Sequence, residues 1–351
     1  MKATTNFYAS ALNRRAETMR RKPRILVVGS FVMDVIATTE KLPKSGQAVY
    51  GHSFHMAPGG KGANQALQCA RLGADVTMMG CVGDDIFGTK LLETPAAAGV
   101  DVSHVRVCKG VSSGVGHITI EVQGNTAQNR IVVIPGANQA MTLEDVAWIE
   151  KEIGSYDIVL LQLEVPLEVN KAIARWAKAA EVPVMLNPAP ATELDDALVS
   201  LVTYITPNEQ EASFESGLPL RIDEENGPNM EDLERIFAAF SDRGADNIIV
   251  TLGSNGSALG ERTGIRRVPS VHMEHVVDPT GAGDSFVGGF CVGLTVGLTR
   301  RDAVAFASYT AAITVSRLGA MPSLPTLDEV LALLKERDFQ GFDLTMLDVL
   351  K

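Results

Sequence analysis

From about residue 140 onward the chain alternates short apolar runs with helix-length segments, and this alternation restricts the fold more than any other feature. Ile158–Leu163 is apolar and ends at Glu164, and a helix is predicted over Glu168–Ala180. Val182–Leu186 is the next strand, ending at Asn187, and Tyr204–Pro207 follows, ending at Asn208. Leu233–Arg243 reads as a helix and Asn247–Gly253 as a strand. Repeated strand-then-helix units predict a parallel, doubly wound α/β sheet. Arg24–Gly29 has the same continuous β-branched character and supplies an earlier buried strand. Ligands of such sheets bind outside the carboxyl ends of the strands. Asp34, Glu164, Asn187, Asn208, Thr251 and Asp278 all stand at or just past predicted ends.

The last of these opens the stretch Asp278-Pro-Thr-Gly-Ala-Gly-Asp-Ser285, between a strand-like segment, His275–Val277, and a Gly-rich apolar run, Phe286–Leu298. A Gly281-Ala282-Gly283 turn at a helix start leaves backbone N–H groups pointing outward, with the helix dipole behind them. Asp284 at the mouth of this positive site can take a proton from a hydroxyl while the N–H groups hold a phosphoryl group. A glycine turn with Asp284 as helix N-cap is the competing reading.

Two inserts have a different character. Residues 40–57 show strand-like alternation, and residues 113–134 read as a β-hairpin turning at Gly124-Asn125. Together they predict a small β-lid, with 23–39, 58–112 and 135–340 forming the α/β body and 341–351 a tail. Between the inserts, Pro58-Gly-Gly-Lys61-Gly-Ala-Asn64-Gln65 feeds a helix that Gly73 ends. It is not a Walker loop, because Gly62 follows Lys61. Residues 1–22 hold six basic residues and one acid, the pattern of a transit peptide or of a disordered, dispensable leader.

Composition narrows the function. A chain of 351 residues with net charge −11 is a poor partner for nucleic acid or an anionic membrane. No run approaches 18 apolar residues. Cys69, Cys81, Cys108 and Cys291 are widely spaced, as expected of reduced thiols in the cytoplasm. The pairs His52/His55 and His272/His275 lie in strand-like stretches, where i,i+3 side chains face opposite ways, which argues against a metal site. Gly281-x-Gly283 lacks the third glycine of a dinucleotide fingerprint, which would fall at Phe286 and counts against an NAD enzyme.

Two further groupings carry chemistry. Asn208 and Glu211 share one face of a helix start, where a carboxylate with an amide can hold a hydrated Mg²⁺ on a nucleotide, or simply decorate a solvated first turn. Asp34 with Gly60, Lys61 and Asn64 offers both donors and acceptors, as a polyol requires, or an ion pair that ties down the loop.

In that order and over Arg24–Arg337, the two glycine motifs, Leu186-Asn-Pro-Ala-Pro-Ala191 and Ile205-Thr-Pro-Asn-Glu-x-Glu211 resemble the ribokinase branch of the PfkB sugar kinases. The resemblance implies a three-layer α/β/α fold with a mostly parallel sheet and a β-lid that clasps a homodimer. It implies transfer of the γ-phosphoryl group of ATP, with Mg²⁺ and an activating K⁺, to the 5-hydroxyl of D-ribose. Asp284 would be the general base and the Gly281, Ala282 and Gly283 N–H groups the anion hole. Asp34, Gly60, Lys61, Asn64 and Glu164 would hold the sugar, covered by Gly116 and Ile118. Asn208, Thr251, Leu252, Gly253, Ser254, Asn255, Gly256, Gly283, Asp284 and Ser308 would line the ATP site, with Glu211 serving Mg²⁺ and phosphate. Asp278, Thr280, Thr314, Arg317, Gly319 and Ser323 fall in the K⁺ loops. One position departs from the family: Val32 stands where ribose enzymes carry a sugar-binding Asn, which makes 2-deoxy-D-ribose a competing substrate. A catalytically silent sugar or nucleotide sensor of the same fold would be expected to lose the base, which is present.

Overall fold

The run Arg24–Val28 (β1) sends alternate side chains into two cores, as the period of a strand requires. Ile25 and Val27 join Leu67, Phe286, Phe290, Val304 and Val330; Leu26 and Val28 join Val169, Ile173, Leu233 and Phe240. Burial on both faces explains why the run is apolar without alternation. The computed structural model describes residues 21–123, 126–223, 226–261 and 264–351. Residues 1–20 of the expected leader and the turn at Gly124-Asn125 lie outside the described residues.

After β1 come β2 (Val32–Thr39), β3 (Ser53–Gly59), α1 (Lys61–Arg71), β4 (Asp75–Met79), β5 (Cys81–Gly83), α2 (Ile86–Ala97) and β6 (Arg106–Cys108). Then follow β7 (Gly114–Gln123), β8 (Thr126–Ile134), β9 (Ile158–Leu161), α3 (Leu167–Ala179), β10 (Val184–Leu186), β11 (Tyr204–Ile205) and α4 (Glu209–Ser216). A short pair, β12 (Ile222–Asp223) and β13 (Gly227–Pro228), precedes α5 (Met230–Asp242), β14 (Ile249–Thr251), β15 (Ser257–Glu261) and β16 (Gly264–Val268). The chain closes with α6 (Ala282–Thr295), α7 (Arg300–Val315), α8 (Leu327–Glu336) and a 3₁₀ segment, Leu344–Leu350.

The main sheet is parallel and ordered β11-β10-β9-β1-β4. Single parallel bridges, Ile205 to Ile248 and Asn208 to Thr251, extend it to β14, beyond which β15 and β16 run antiparallel. The chain leaves β1 for β4 on one side and returns to β9 on the other. This reversal opens a crevice at the carboxyl ends of β1 and β9.

The lid is a four-stranded sheet ordered β3-β2-β7-β8. Val32–Thr39, expected in the α/β body, belongs to this lid, because its hydrogen-bonding partners are β3 and β7 from Val32 onward. Of the first insert, residues 40–57, only 53–57 are strand, and that strand, β3, runs on to Gly59. Three other expectations also differ. His275–Val277 is not a strand; its one ladder-like bond among the described residues is Val277 N–H to the Val315 carbonyl at 2.7 Å. Leu143–Ile153 breaks into two single turns, Leu143–Val146 and Ile149–Glu152. The expected tail at 341–351 is part of the body: Leu347 and Leu350 are buried in the core beside α1.

Candidate active site

Asp284 lies in the first turn of α6, which Gly281 opens at φ +80° without any side-chain cap. The carboxylate does not turn back to cap its own helix. Its Oδ2 accepts from Asn64 Nδ2 at 2.8 Å and its Oδ1 from Gln65 Nε2 at 3.0 Å, both on α1. The capping alternative therefore fails. Burial pushes the Asp284 carboxyl above its ordinary pKa, opposed by Lys61 and by the two amide donors. Lys61 is itself pulled down by burial, but the carboxylates of Asp284, Glu164 and Glu211 more than restore it and raise its pKa.

Asp284, Lys61, Asn187, Asn208, Glu211, Thr251, Gly281 and Gly283 line one cavity of about 220 Å³. The N–H groups of Gly281 and Gly283 make no hydrogen bond among the described residues. Ala282 corrects the expected trio: its N–H donates to the Pro279 carbonyl at 3.1 Å, because the left-handed residue Gly281 folds the chain into a tight turn there. Asn208 and Glu211 form a capping box on α4, with Asn208 Oδ1 accepting from two N–H groups and Glu211 Oε2 from the Asn208 N–H at 2.9 Å. The pair caps the helix and faces the cavity that contains Asp284, and Glu211 is buried, so it does not decorate a solvated turn.

The second side of the crevice gathers Asp34, Glu164 and the glycine loop. Glu164 accepts from the Lys61 N–H at 3.0 Å and from the Ser30 hydroxyl. Ser30 also approaches the Gly62 N–H at 3.4 Å. Sequence reasoning missed Ser30, although a hydroxyl directly after β1 at the switch point is a usable signal. Gly60 has φ +95°, and a Cβ on it would meet the backbone of Ser30–Val32, so only glycine lets the loop lie against the end of β1. Burial, helped by Glu164, pushes Asp34 up to about 6. Gly116 is paired beside Asp34 in the lid, and a Cβ there would run into Asp34 Oδ1. Val32, Asp34, Gly116 and Ile118 share one face of the lid by register.

Ser308 is not brought to Asp284. Its hydroxyl donates to the Val304 carbonyl at 2.9 Å, and it lines a separate cavity of about 600 Å³ with Arg266, Arg267, Arg301, Tyr309 and Arg337. The turn Gly253–Asn255 does not line that cavity but is bonded to two residues that do: the Asn255 carbonyl accepts from Arg267 at 3.1 Å and the Ser254 carbonyl from Ser270 at 2.7 Å. Gly256, at φ +82°, closes the turn on Val268–Ser270, whose backbone leaves no room for a Cβ. Leu252 is fully buried, so it lends this region backbone only.

The two expected cation loops do meet. Asp278 accepts from the Thr280 N–H through Oδ1 and from the Gly319 N–H through Oδ2, each at 2.9 Å. Thr314 instead bonds Ser285 Oγ in the core at 2.8 Å, Arg317 donates to Glu329 at 2.6 Å, and Ser323 Oγ donates to the Ala320 carbonyl at 2.7 Å. These three side chains are engaged elsewhere, so an ion between the loops would depend on backbone carbonyls and Asp278.

Comparison with known proteins follows the same outline. The family described as pfkB family carbohydrate kinase matches residues 22–327. The ribokinase of Lactococcus lactis is 37% identical over 314 residues, covering 89% of this chain and 97% of that protein. The deoxyribokinase of Salmonella typhi is 32% identical over 306 residues, covering 87% and 96%. The solved structure of Arabidopsis thaliana ribokinase complexed with ribose and ATP superposes with a TM-score of 0.81 at 30% identity, covering 90% of this chain and 99% of that one.

Proposed function

The chain belongs to the pfkB family of carbohydrate kinases and is an ATP-dependent carbohydrate kinase; from that premise we propose that it converts D-ribose and ATP to D-ribose 5-phosphate and ADP. The observation that carries this reading is the shared cavity: the buried Asp284 carboxylate, the Lys61 ammonium and the free Gly281 and Gly283 N–H groups converge there. Asp284 takes the proton of the 5-hydroxyl as its oxygen attacks the γ-phosphorus. The N–H groups and Lys61 stabilise charge on the moving phosphoryl group. Asp34, Glu164 and Asn64, whose buried Oδ1 has no partner among the described residues, hold the sugar hydroxyls.

Mg²⁺ would neutralise the nucleotide phosphates. Glu211 faces the cavity with Oε1 outside its capping bond, which suits one protein carboxylate beside an ion held mainly by phosphate. K⁺ would add a fixed positive charge behind the anion site, held by the Asp278 loop and the Gly319 loop. Thr251, the Gly253–Gly256 turn and Ser308 flank the nucleotide. The lid joins two copies into a homodimer, and the four buried free cysteines suit the cytosol.

A second reading, 2-deoxy-D-ribose as the acceptor, is supported by Val32, an apolar residue on the lid face of Asp34. The test is ADP release over ribose, 2-deoxyribose, fructose and nucleosides, with Asp284→Asn alongside. The variant should fold and bind ATP but lose about 10²- to 10⁴-fold in turnover. Nucleotide binding without ADP release on any sugar points to a silent sensor; near-normal turnover by Asp284→Asn removes Asp284 as the base.

A further inference from the structure

We propose that Gln65 is a positioning residue for phosphoryl transfer, its side-chain amide fixing the Asp284 carboxylate in the orientation that receives the hydroxyl proton. The proposal rests on the reading of Asp284 as the base.

Gln65 is completely buried on α1 and is not part of the cavity lining. Its Nε2 lies 3.0 Å from Asp284 Oδ1 and 3.2 Å from Asn187 Oδ1, and its Oε1 accepts from Gln162 Nε2 at 2.6 Å. Turning the amide over would set its oxygen against two acceptors and its nitrogen against a donor. The sense of the chain is anchored from outside. Asn187 Nδ2 donates to the Thr206 carbonyl at 2.9 Å, which turns Asn187 Oδ1 toward Gln65. At the other end Asn170 Nδ2 donates to the Gln162 backbone carbonyl at 2.6 Å, which holds that residue's backbone, while Gln162 Oε1 makes no hydrogen bond among the described residues, so the sense of the chain is set from the Asn187 end. Asp284 therefore has one fixed donor on each oxygen, Asn64 on Oδ2 and Gln65 on Oδ1. A carboxylate pinned at both oxygens cannot rotate, yet each oxygen keeps a lone pair for a substrate hydroxyl.

The two donors differ in what else they can do. Asn64 has an unpaired Oδ1 for substrate, whereas both polar atoms of Gln65 are engaged inside the protein. Gln65 thus touches no substrate itself and reaches the site through Asp284 and, more weakly, through the cavity-lining Asn187. The charged groups around Asp284 are Lys61 at the start of α1, Glu164 after β9 and Glu211 on α4. Losing the Gln65 donor leaves Lys61 and Asn64 to oppose burial and the two carboxylates.

The test is the pH dependence of kcat and kcat/KM for Gln65→Met, which keeps the length without the donor, and for Gln65→Glu. Losing a donor to the ionised form raises a carboxyl pKa, so activity should fall more at low pH than at high pH. For Gln65→Met we expect kcat at neutral pH about tenfold or more lower, KM for ribose and ATP within about twofold, and the acid limb moved up by about half a pH unit or more. Gln65→Glu should move it further, because a second carboxylate then faces the first. A limb that stays in place in both variants, with any loss of kcat matched by loss of thermal stability, overturns the proposal. Should Gln65→Met not fold, Gln65→Glu and Gln162→Leu read the same limb, and an unmoved limb in either decides against it. A wild-type enzyme that phosphorylates no sugar, or Asp284→Asn with normal turnover, removes the base reading and this proposal with it; both are distinct from an active enzyme with an unmoved limb.

Discussion

In the reading proposed above, Val32 is the residue on which the choice between ribose and 2-deoxyribose turns. It is nearly buried and lies in register with Gly59 and Gly114, two residues before Asp34. Valine cannot pair with a sugar hydroxyl, and a buried hydroxyl left without a partner costs about 1–3 kcal/mol. That corresponds to roughly 5- to 150-fold in preference. Val32→Asn should therefore raise the ratio of kcat/KM for ribose over that for 2-deoxyribose by about this factor. An unchanged ratio, measured with both sugars on the same preparation, assigns the choice to another position. Asp284 carries a different lesson at the same scale. Its residue type and glycine neighbours announced chemistry, but the cap and the base looked alike in sequence. The difference is the direction of the side chain, which two α1 amides more than 200 residues away in the chain determine.

Helix α1 is the element that assembles the site. Asn64 and Gln65 hold Asp284, Gln68 accepts from Ser285 Oγ at 2.9 Å and donates to the Pro325 carbonyl at 3.0 Å, and Arg71 donates to the Met321 carbonyl at 2.9 Å. One polar edge of one helix thus ties the Gly60–Lys61 loop, Asp284 and the Gly319 loop together. Its C-terminal end is braced by the 3₁₀ segment: a Cβ on Gly73 would run into the Leu350 carbonyl, and Leu347 is fully buried. Leu347→Ala should destabilise the protein by about 2–5 kcal/mol, read by urea denaturation. A change within experimental error would show that residues 344–350 contribute little to the body. The sequence reading set these residues apart because the segment is too short for a helical period to be visible. Its burial depends on a partner surface formed by α1 and its neighbours.

At the scale of the molecule, the lid leaves large apolar side chains in water on both faces. Phe54, Met56 and Val132 point one way; Ile131 and Val133 share the face of Asp34. Exposed apolar surface of this kind marks an interface, and we propose that a second copy covers it. Light scattering should give a dimer mass for the wild type, shifted toward monomer by Ile131→Lys or by Phe54→Lys; a wild-type monomer at micromolar concentration sinks the proposal. Although Asp34 lies inside β2 and the segment before Asp278 is not a strand, the sequence by itself determined the α/β class, the two glycine turns, the lid as a β insert and the places of Glu164, Asn187, Asn208 and Thr251 at or just past strand ends. These follow from local periodicity and from residue types that only certain backbones tolerate. Tertiary structure decided which sheet Val32–Thr39 joins, because a strand belongs to whatever donors and acceptors it meets. It also turned Asp284 away from its own helix, engaged the Ala282 N–H in a turn, sent the Thr314, Arg317 and Ser323 side chains elsewhere, and placed Gln65 behind Asp284. Each of these depends on contacts between segments far apart in the chain, where the partner is fixed by packing and leaves no period or motif to read.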